Sequence, residues 1–214
     1  MQVHTKLKVC GVTSVEDLQA CARLGVDSIG LNLWSGSRRG LTLAQARELT
    51  KAWPAKLERV GVLVDADPAQ VLAWHRELQF DFIQPHGDRP ISAYQNLGIA
   101  CVWVIRGTPE LATLEVPSPK PARILLDAAV AGFGGAGKQT DWKWARTAVT
   151  ALSNIAPVWL AGGITPENAA LAIATVSPAG LDVASGAEPA GAKGGQKSPE
   201  RVAALVAACH AQLK

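Results

Sequence analysis

Short apolar runs recur along the chain, and each leads into an amphipathic or turn-rich stretch. The runs are "KLKVCG", "DSIGLNL", "ERVGVLV", "DFIQPH", "ACVWVI", "RILLDA", "PVWLAG" and "GLDVAS". Several are apolar at nearly every position, the pattern of strands covered on both faces. Helix-start signals lie between them. Ser14 precedes "VEDLQACARLG", with Asp17 three residues on and Gly25 at the far end, which reads as a capping box and a glycine stop. Thr42 precedes "LAQARELTKAW". Asp67-Pro68, Thr165-Pro166 and Ser198-Pro199 each open a further helix-like stretch, with proline in the first-turn position it tolerates. The fifth connection, "GTPELATLEVPSPKPA", carries three prolines in its second half, so its helix is short or absent.

Strand and helix alternating eight times, with no linker and no low-complexity tract, predict an α/β fold with one domain over 1–214, a single (β/α)8 TIM barrel. A doubly wound open sheet is the alternative, but eight repeats without a second domain favour the closed barrel.

At 48% apolar residues the chain can bury one substantial core. The net charge of +3 is small, the basic residues are scattered apart from Arg38-Arg39, and aromatics are few, so no nucleic-acid partner is implied. A few cations around an anionic small molecule fit this balance. Cys10, Cys21, Cys101 and Cys209 form no C-x-x-C pair, and the histidines form no H-x-x-x-H pair, so no metal site is expected. The N-terminus lacks a signal-peptide pattern and no apolar run reaches membrane-spanning length. The expectation is a cytoplasmic protein with reduced thiols and no membrane partner.

Barrels of this class carry their chemistry at the C-terminal ends of the strands. The first strand ends at Lys8, Cys10 and Gly11. Cys10 is either an inert buried thiol or a reactive one. Lys8 lies two residues earlier and shares its face, so its ammonium would favour the thiolate over the thiol, whose unperturbed pKa is ~8.5. That would make Cys10 a usable base near neutral pH. The sixth strand ends at Asp127, which either caps the next loop or is catalytic. The seventh ends in Ala161-Gly162-Gly163 and the eighth in Ala184-Ser185-Gly186. Loops in those two places often cradle phosphate with backbone N–H groups, though tight turns also need glycine. Arg38 and Arg39 follow the second strand and either grip a carboxylate or are solvated. Gln84 and His86, at the end of the fourth, either position a ligand or serve the loop.

"GFGGAGKQT", from Gly132 to Thr140, contains G-x-G-x-x-G and nearly a P-loop. A dinucleotide fingerprint begins directly at a strand end, whereas this stretch comes only after Asp127 and four further residues. A P-loop needs Ser or Thr where Gln139 stands. The stretch therefore reads either as a lid over the barrel mouth or as a plain long loop.

Taken together, these motifs resemble phosphoribosylanthranilate isomerase, the (β/α)8 enzyme family of tryptophan biosynthesis, over essentially the whole length. The resemblance rests on "KVCGVTSVEDLQACARLGVDSIGL", "RVGVLVD", "IQPHGD", "ILLDA…GFGGAGKQTDW", "LAGGITPENA", "GLDVASGAE" and the closing "KSPERV". It implies Cys10 as general base, Asp127 as general acid, Arg39 as the anthranilate-carboxylate anchor, and Gly162, Gly163, Ser185 and Gly186 as the phosphate cradle. Lys8, Gln84 and His86 are further site candidates. The implied reaction is an Amadori rearrangement of a phosphorylated small molecule, without metal or organic cofactor, in a monomer or homodimer. The chain departs from the family pattern with "GLNLW" after the second strand, Gly40 after Arg39, "QPHG" after the fourth strand and "VASGAEPAGAKGGQKS" after the eighth. The rival readings are another phosphosugar isomerase or epimerase on the same barrel, and a non-catalytic barrel that binds a phosphorylated metabolite.

Overall fold

The computed structural model describes residues 4–128, 139–192 and 194–211. All eight apolar runs form strands: β1 (Lys6–Cys10), β2 (Ser28–Asn32), β3 (Glu58–Val64), β4 (Phe82–His86), β5 (Ala100–Arg106), β6 (Arg123–Asp127), β7 (Val158–Leu160) and β8 (Gly180–Val183). Every pairing is parallel, each strand lies beside its neighbours in sequence, and β1 pairs with β8 to close the barrel. The helices are α1 (Val15–Leu24), α2 (Leu43–Lys51), α3 (Pro68–Leu78), α4 (Ser92–Gln95), α5 (Trp142–Leu152), α6 (Ala169–Val176) and α7 (Pro199–His210). The fifth connection contains one 3-10 turn, Leu111–Thr113, in keeping with its prolines. Among the described residues no helix is long and apolar enough to cross a membrane.

Local chemistry explains most boundaries. The Ser14 side chain accepts from Asp17 N at 3.1 Å, and Gly25 ends α1 at φ 88°, a left-handed conformation that glycine adopts without strain. The reciprocal half of the expected capping box is missing, because the Asp17 carboxylate accepts from Lys197 N at 3.0 Å instead. Asp67 and Ser198 cap α3 and α7 as their sequences suggest. The chain turns at Thr165-Pro166, where Thr165 O accepts from Asn168 N at 3.1 Å and Ala169 N at 2.9 Å, Asn168 Oδ1 accepts from Thr165 N at 2.8 Å and the Asn168 amide donates to Gly163 O at 2.9 Å, but regular helix starts later than expected. These bonds hold 165–168 as a turn, and α6 begins at Ala169.

Side chains alternate between the helix layer and the barrel interior. Leu7, Val9, Ile29, Ile124, Leu126, Leu181 and Val183 face outward into the apolar shell under the helices. Inside, Val102, Leu125, Trp159 and Ala161 pack as a small apolar cluster. The Trp159 ring occupies space left by Gly180, where an added Cβ would lie within 2.5–2.7 Å of the indole. Nearer the N-terminal ends, the Arg123 guanidinium stacks between Phe82 (4.3 Å) and Trp159 (3.9 Å) and donates to Glu58 at 3.0 Å. The N-terminal half of the barrel is thus plugged, and the remaining inward-facing polar residues sit towards the C-terminal ends.

Candidate active site

One layer above Trp159, Lys8 on β1 is 1% exposed and donates to both carboxylate oxygens of its β8 register partner Asp182, at 2.9 and 2.8 Å. Gln84, from β4 across the barrel, donates to Asp182 Oδ2 at 3.3 Å, and its Nε2 lies 3.1 Å from His86 Nε2. The amide nitrogen is a donor, so His86 accepts through Nε2 and carries its proton on Nδ1. Burial, reinforced by the nearby Lys8 ammonium, lowers the His86 pKa to about 4, leaving the ring neutral at pH 7. Among the described residues, His86 Nδ1 is buried without a hydrogen-bond partner.

Cys10 lies at the end of β1, opposite Gly30 on β2. A Cβ at Gly30 would come within 2.8 Å of Cys10 Sγ and 3.0 Å of Lys8 Nζ, so glycine there makes room for both. The expectation that Lys8 makes Cys10 a ready thiolate is corrected. Burial dominates and pushes the thiol above its ordinary value; Lys8 pulls it down, and the Asp182 carboxylate pushes it up again. The ammonium is already matched by a carboxylate. Cys21, Cys101 and Cys209 are buried thiols pushed up to about 12 by burial.

Asp127 ends β6, beside Arg106 on β5. Its Oδ1 accepts from Ala128 N at 2.8 Å, so the capping role is present. Burial, reinforced by Asp182, nevertheless raises its pKa to about 6 against the opposing pull of the Ala128 N–H, Arg106 and Lys8. A carboxyl group that exchanges a proton near neutrality is suited to acid catalysis.

The loops after β7 and β8 converge. Gly162 and Gly163 have φ of 87° and 66°, and residues 139–140 pass so close that a Cβ on either glycine would clash. Thr140 fastens that passage by donating to Ala161 O at 2.7 Å. The rest of the glycine-dense stretch, 132–138, and with it the lid reading, lies outside the described residues. A Cβ on Gly186 would fall 1.9 Å from Ile164 O, so the two loops press together. Backbone geometry alone therefore explains these glycines. Among the described residues, however, the N–H groups of Gly162, Gly163, Ser185 and Gly186 donate no hydrogen bond, and such a group of N–H donors can receive phosphate oxygens.

Arg39 is buried at 6% exposure, with its stem against Gly11, where a Cβ would lie 2.4 Å from Arg39 Cδ. It donates through Nε and Nη2 to Glu188, at 2.5 and 2.9 Å. Arg38 is half-exposed and reaches the same carboxylate at 3.1 Å. Lys197 donates to Cys10 O, Ala184 O and Glu188. Burial alone would raise the Glu188 pKa, but the bonds from Arg39, Lys197 and Gly195 N hold it down to about 2. Asp182, Glu188 and Lys197 escaped the sequence reading. An aspartate at an inward position of an otherwise apolar strand, two residues before the strand-end motif, was the available signal for Asp182.

The N-(5'-phosphoribosyl)anthranilate isomerase family model matches residues 7–208. The chain is 38% identical to an N-(5'-phosphoribosyl)anthranilate isomerase from Myxococcus xanthus over 210 residues, covering 96% of each. Its structure is similar to that of phosphoribosylanthranilate isomerase from Thermus thermophilus, with 31% identity, a TM-score of 0.82, and coverage of 95% of this chain and 98% of the other. Another solved relative, 25% identical with a TM-score of 0.78 and covering 96% of this chain and 98% of the other, is bound to reduced 1-(o-carboxyphenylamino)-1-deoxyribulose 5-phosphate. A closed parallel barrel whose strand ends carry an acid, a thiol, an arginine and, among the described residues, backbone N–H groups that donate no hydrogen bond thus agrees with a full-length match in sequence: the chain belongs to the N-(5'-phosphoribosyl)anthranilate isomerase family.

Proposed function

We propose that this protein converts N-(5-phosphoribosyl)anthranilate to 1-(2-carboxyphenylamino)-1-deoxyribulose 5-phosphate, the Amadori step of tryptophan biosynthesis. The observation that supports this reading best is a carboxyl titrating near neutrality, Asp127, and a thiol beside a buried lysine, Cys10, at strand ends that also carry a buried arginine and four backbone N–H groups that donate no hydrogen bond among the described residues.

In this reading the N–H groups of Gly162, Gly163, Ser185 and Gly186 receive the phosphate, and Arg39 receives the anthranilate carboxylate. Asp127 gives its proton to the ribose ring oxygen; the C1′–O bond breaks and a protonated Schiff base forms. Cys10, as the thiolate, takes the proton from C2′, and that electron pair moves to form the enolamine. The enolamine then tautomerises to the product ketone. Lys8 and Lys197 both favour the Cys10 thiolate while it exists. Asp182 and Gln84 hold Lys8 and His86 in place beneath the reacting atoms. No metal or organic cofactor enters any step. The same reading places the enzyme in the cytoplasm, as a monomer or homodimer.

The test follows the decay of anthranilate-type fluorescence in a mixture that generates phosphoribosylanthranilate in situ, with and without the protein. Rapid protein-dependent conversion that disappears in Asp127→Asn and in Cys10→Ala supports the reading. A folded protein without turnover overturns it, and a fully active variant removes that residue from its role.

A further inference from the structure

Glu188 is a buried carboxylate with five donors. Its Oε1 accepts from Arg39 Nε at 2.5 Å, Gly195 N at 3.0 Å and Lys197 Nζ at 3.1 Å; its Oε2 accepts from Arg39 Nη2 at 2.9 Å and Arg38 Nη2 at 3.1 Å. Lys197 spends its three N–H bonds on Glu188, on Cys10 O at 2.8 Å and on Ala184 O at 3.3 Å. It has none left for a ligand. Lys197 is instead a cross-link joining the end of β1, which carries the thiol, to the end of β8.

Arg39 is held differently. A guanidinium has five N–H donors in a planar fork. The bonds to Glu188 use the Nε–Nη2 edge and leave the Nη1–Nη2 end of the fork, which can hold a second carboxylate in the same plane. The stem is fixed as well: it rests on Gly11, and Arg39 N donates to Ser37 Oγ at 3.1 Å. Three cations around one carboxylate also leave this cluster with excess positive charge that an anionic ligand would balance.

We infer that Glu188 is a positioning residue for substrate recognition: by taking one edge of Arg39 and anchoring Lys197 to Cys10 O, it aims the other edge of the guanidinium at an aromatic carboxylate and fixes that anchor relative to the thiol. This rests on the reading above, in which Arg39 binds the anthranilate carboxylate. An arginine without such a brace would keep its charge but lose the fixed orientation that two parallel hydrogen bonds require.

Two probes test this: the reduced product analogue, which carries the ring carboxylate, and its counterpart lacking that carboxylate. Dissociation constants are measured by fluorescence titration for the wild type, Glu188→Gln, Arg39→Ala and the double variant, with thermal melting as the folding control. Glu188→Gln is expected to weaken the carboxylated probe about 10- to 100-fold, with much less effect on the other, and to raise KM more than it lowers kcat. The double variant is expected to bind no more weakly than Arg39→Ala, because the Glu188 effect passes through Arg39. Equal weakening of both probes would reduce Glu188 to a loop anchor, and additive losses would place its action elsewhere; either overturns the inference. If Glu188→Gln does not fold, Glu188→Asp keeps the charge but withdraws it by one methylene, and part of the carboxylate preference must still be lost. A wild type that binds both probes alike would instead sink the role of Arg39 itself. A preference lost in Arg39→Ala but kept in every folded Glu188 variant would sink only the present inference.

Discussion

Replacing Asp127 with Asn tests whether the raised acid imposes a stability cost that the fold carries for catalysis. The carboxyl titrates at about 6 in the folded chain against an ordinary 3.8. A group whose folded pKa is raised destabilises the native state once pH rises above the unfolded value, and the full penalty is present above the folded one. With these two values the penalty is about 1 kcal/mol at pH 4.5 and about 3 kcal/mol at pH 8. These are upper figures, because the residue keeps some contact with solvent. Asn does not titrate, so whatever burying its amide costs is the same at both pH values. Its carbonyl can still accept from Ala128 N. The stability of the variant relative to wild type should therefore improve by about 2 kcal/mol between pH 4.5 and pH 8, or about 4–8 °C in melting temperature for a domain of this size. The assay is thermal unfolding of both proteins at the two pH values, paired with turnover, which should fall by ~10²–10⁴. A melting difference that is the same at both pH values would refute the argument, because it would mean Asp127 titrates normally in the folded state.

Cys10 should alkylate slowly with iodoacetamide at pH 7 and about tenfold faster per pH unit up to at least pH 9, since burial holds its thiol above the ordinary value of 9.0. Mass spectrometry should find it labelled before the three buried cysteines, and pH-independent labelling would contradict this. Gly30→Ala should destabilise by about 1–3 kcal/mol and lower turnover, because the new methyl crowds Cys10 Sγ and Lys8 Nζ; an unaffected variant would show slack around the thiol. Lys8→Met alone should cost about 3–5 kcal/mol in urea unfolding by stranding Asp182, and adding Asp182→Leu should recover most of it. A double variant as unstable as the single one would mean that the pair is not the source of the loss.

What the sequence makes legible here is what local periodicity and turn chemistry determine. The strands lie within two residues of the apolar runs because both barrel faces are covered, and Gly25, Asp67 and Ser198 mark their helix ends through bonds made within a few residues. The failures share a physical cause. Asp17 was read as half of a capping box, yet its carboxylate serves Lys197, 180 residues away. The Thr165-Pro166 pattern marks a turn, but the Asn168 side chain ties it to Gly163 O and regular helix begins only at Ala169. The two-residue spacing puts Lys8 beside Cys10, but its effect on the thiol is not legible locally, because the Asp182 carboxylate that matches it lies 174 positions away. Glu188 and Arg39 are likewise 149 residues apart. Strand-end positions locate the candidate groups; their charge states depend on pairings that only barrel closure creates.

Those pairings divide the charges at the barrel mouth unevenly. Lys8 is matched by Asp182, and Arg39 and Lys197 by Glu188, all in bonds of 3.1 Å or less. Asp127 and Cys10 have pKa values displaced upward, because burial outweighs the Ala128 N–H, Arg106 and Lys8 at Asp127 and the Lys8 and Lys197 ammonium groups at Cys10. At pH 7 the dominant resting form therefore has Asp127 ionised and Cys10 as the thiol, the reverse of what the proposed first step uses. Moving one proton from Cys10, whose thiol burial holds above its ordinary value, to Asp127, at about 6, is therefore uphill in the resting barrel. Substrate binding works against that gap at the Asp127 end. A ligand carrying phosphate and carboxylate brings negative charge and displaces water, and both raise a nearby carboxyl further. At the Cys10 end Lys8 and Lys197 both favour the thiolate. Their matched carboxylates make those two ammonium groups affordable in the resting barrel, and their positions let them stabilise the thiolate once it forms. In the proposed mechanism the buried ion pairs serve the proton transfer, since pairs of this kind add little stability of their own.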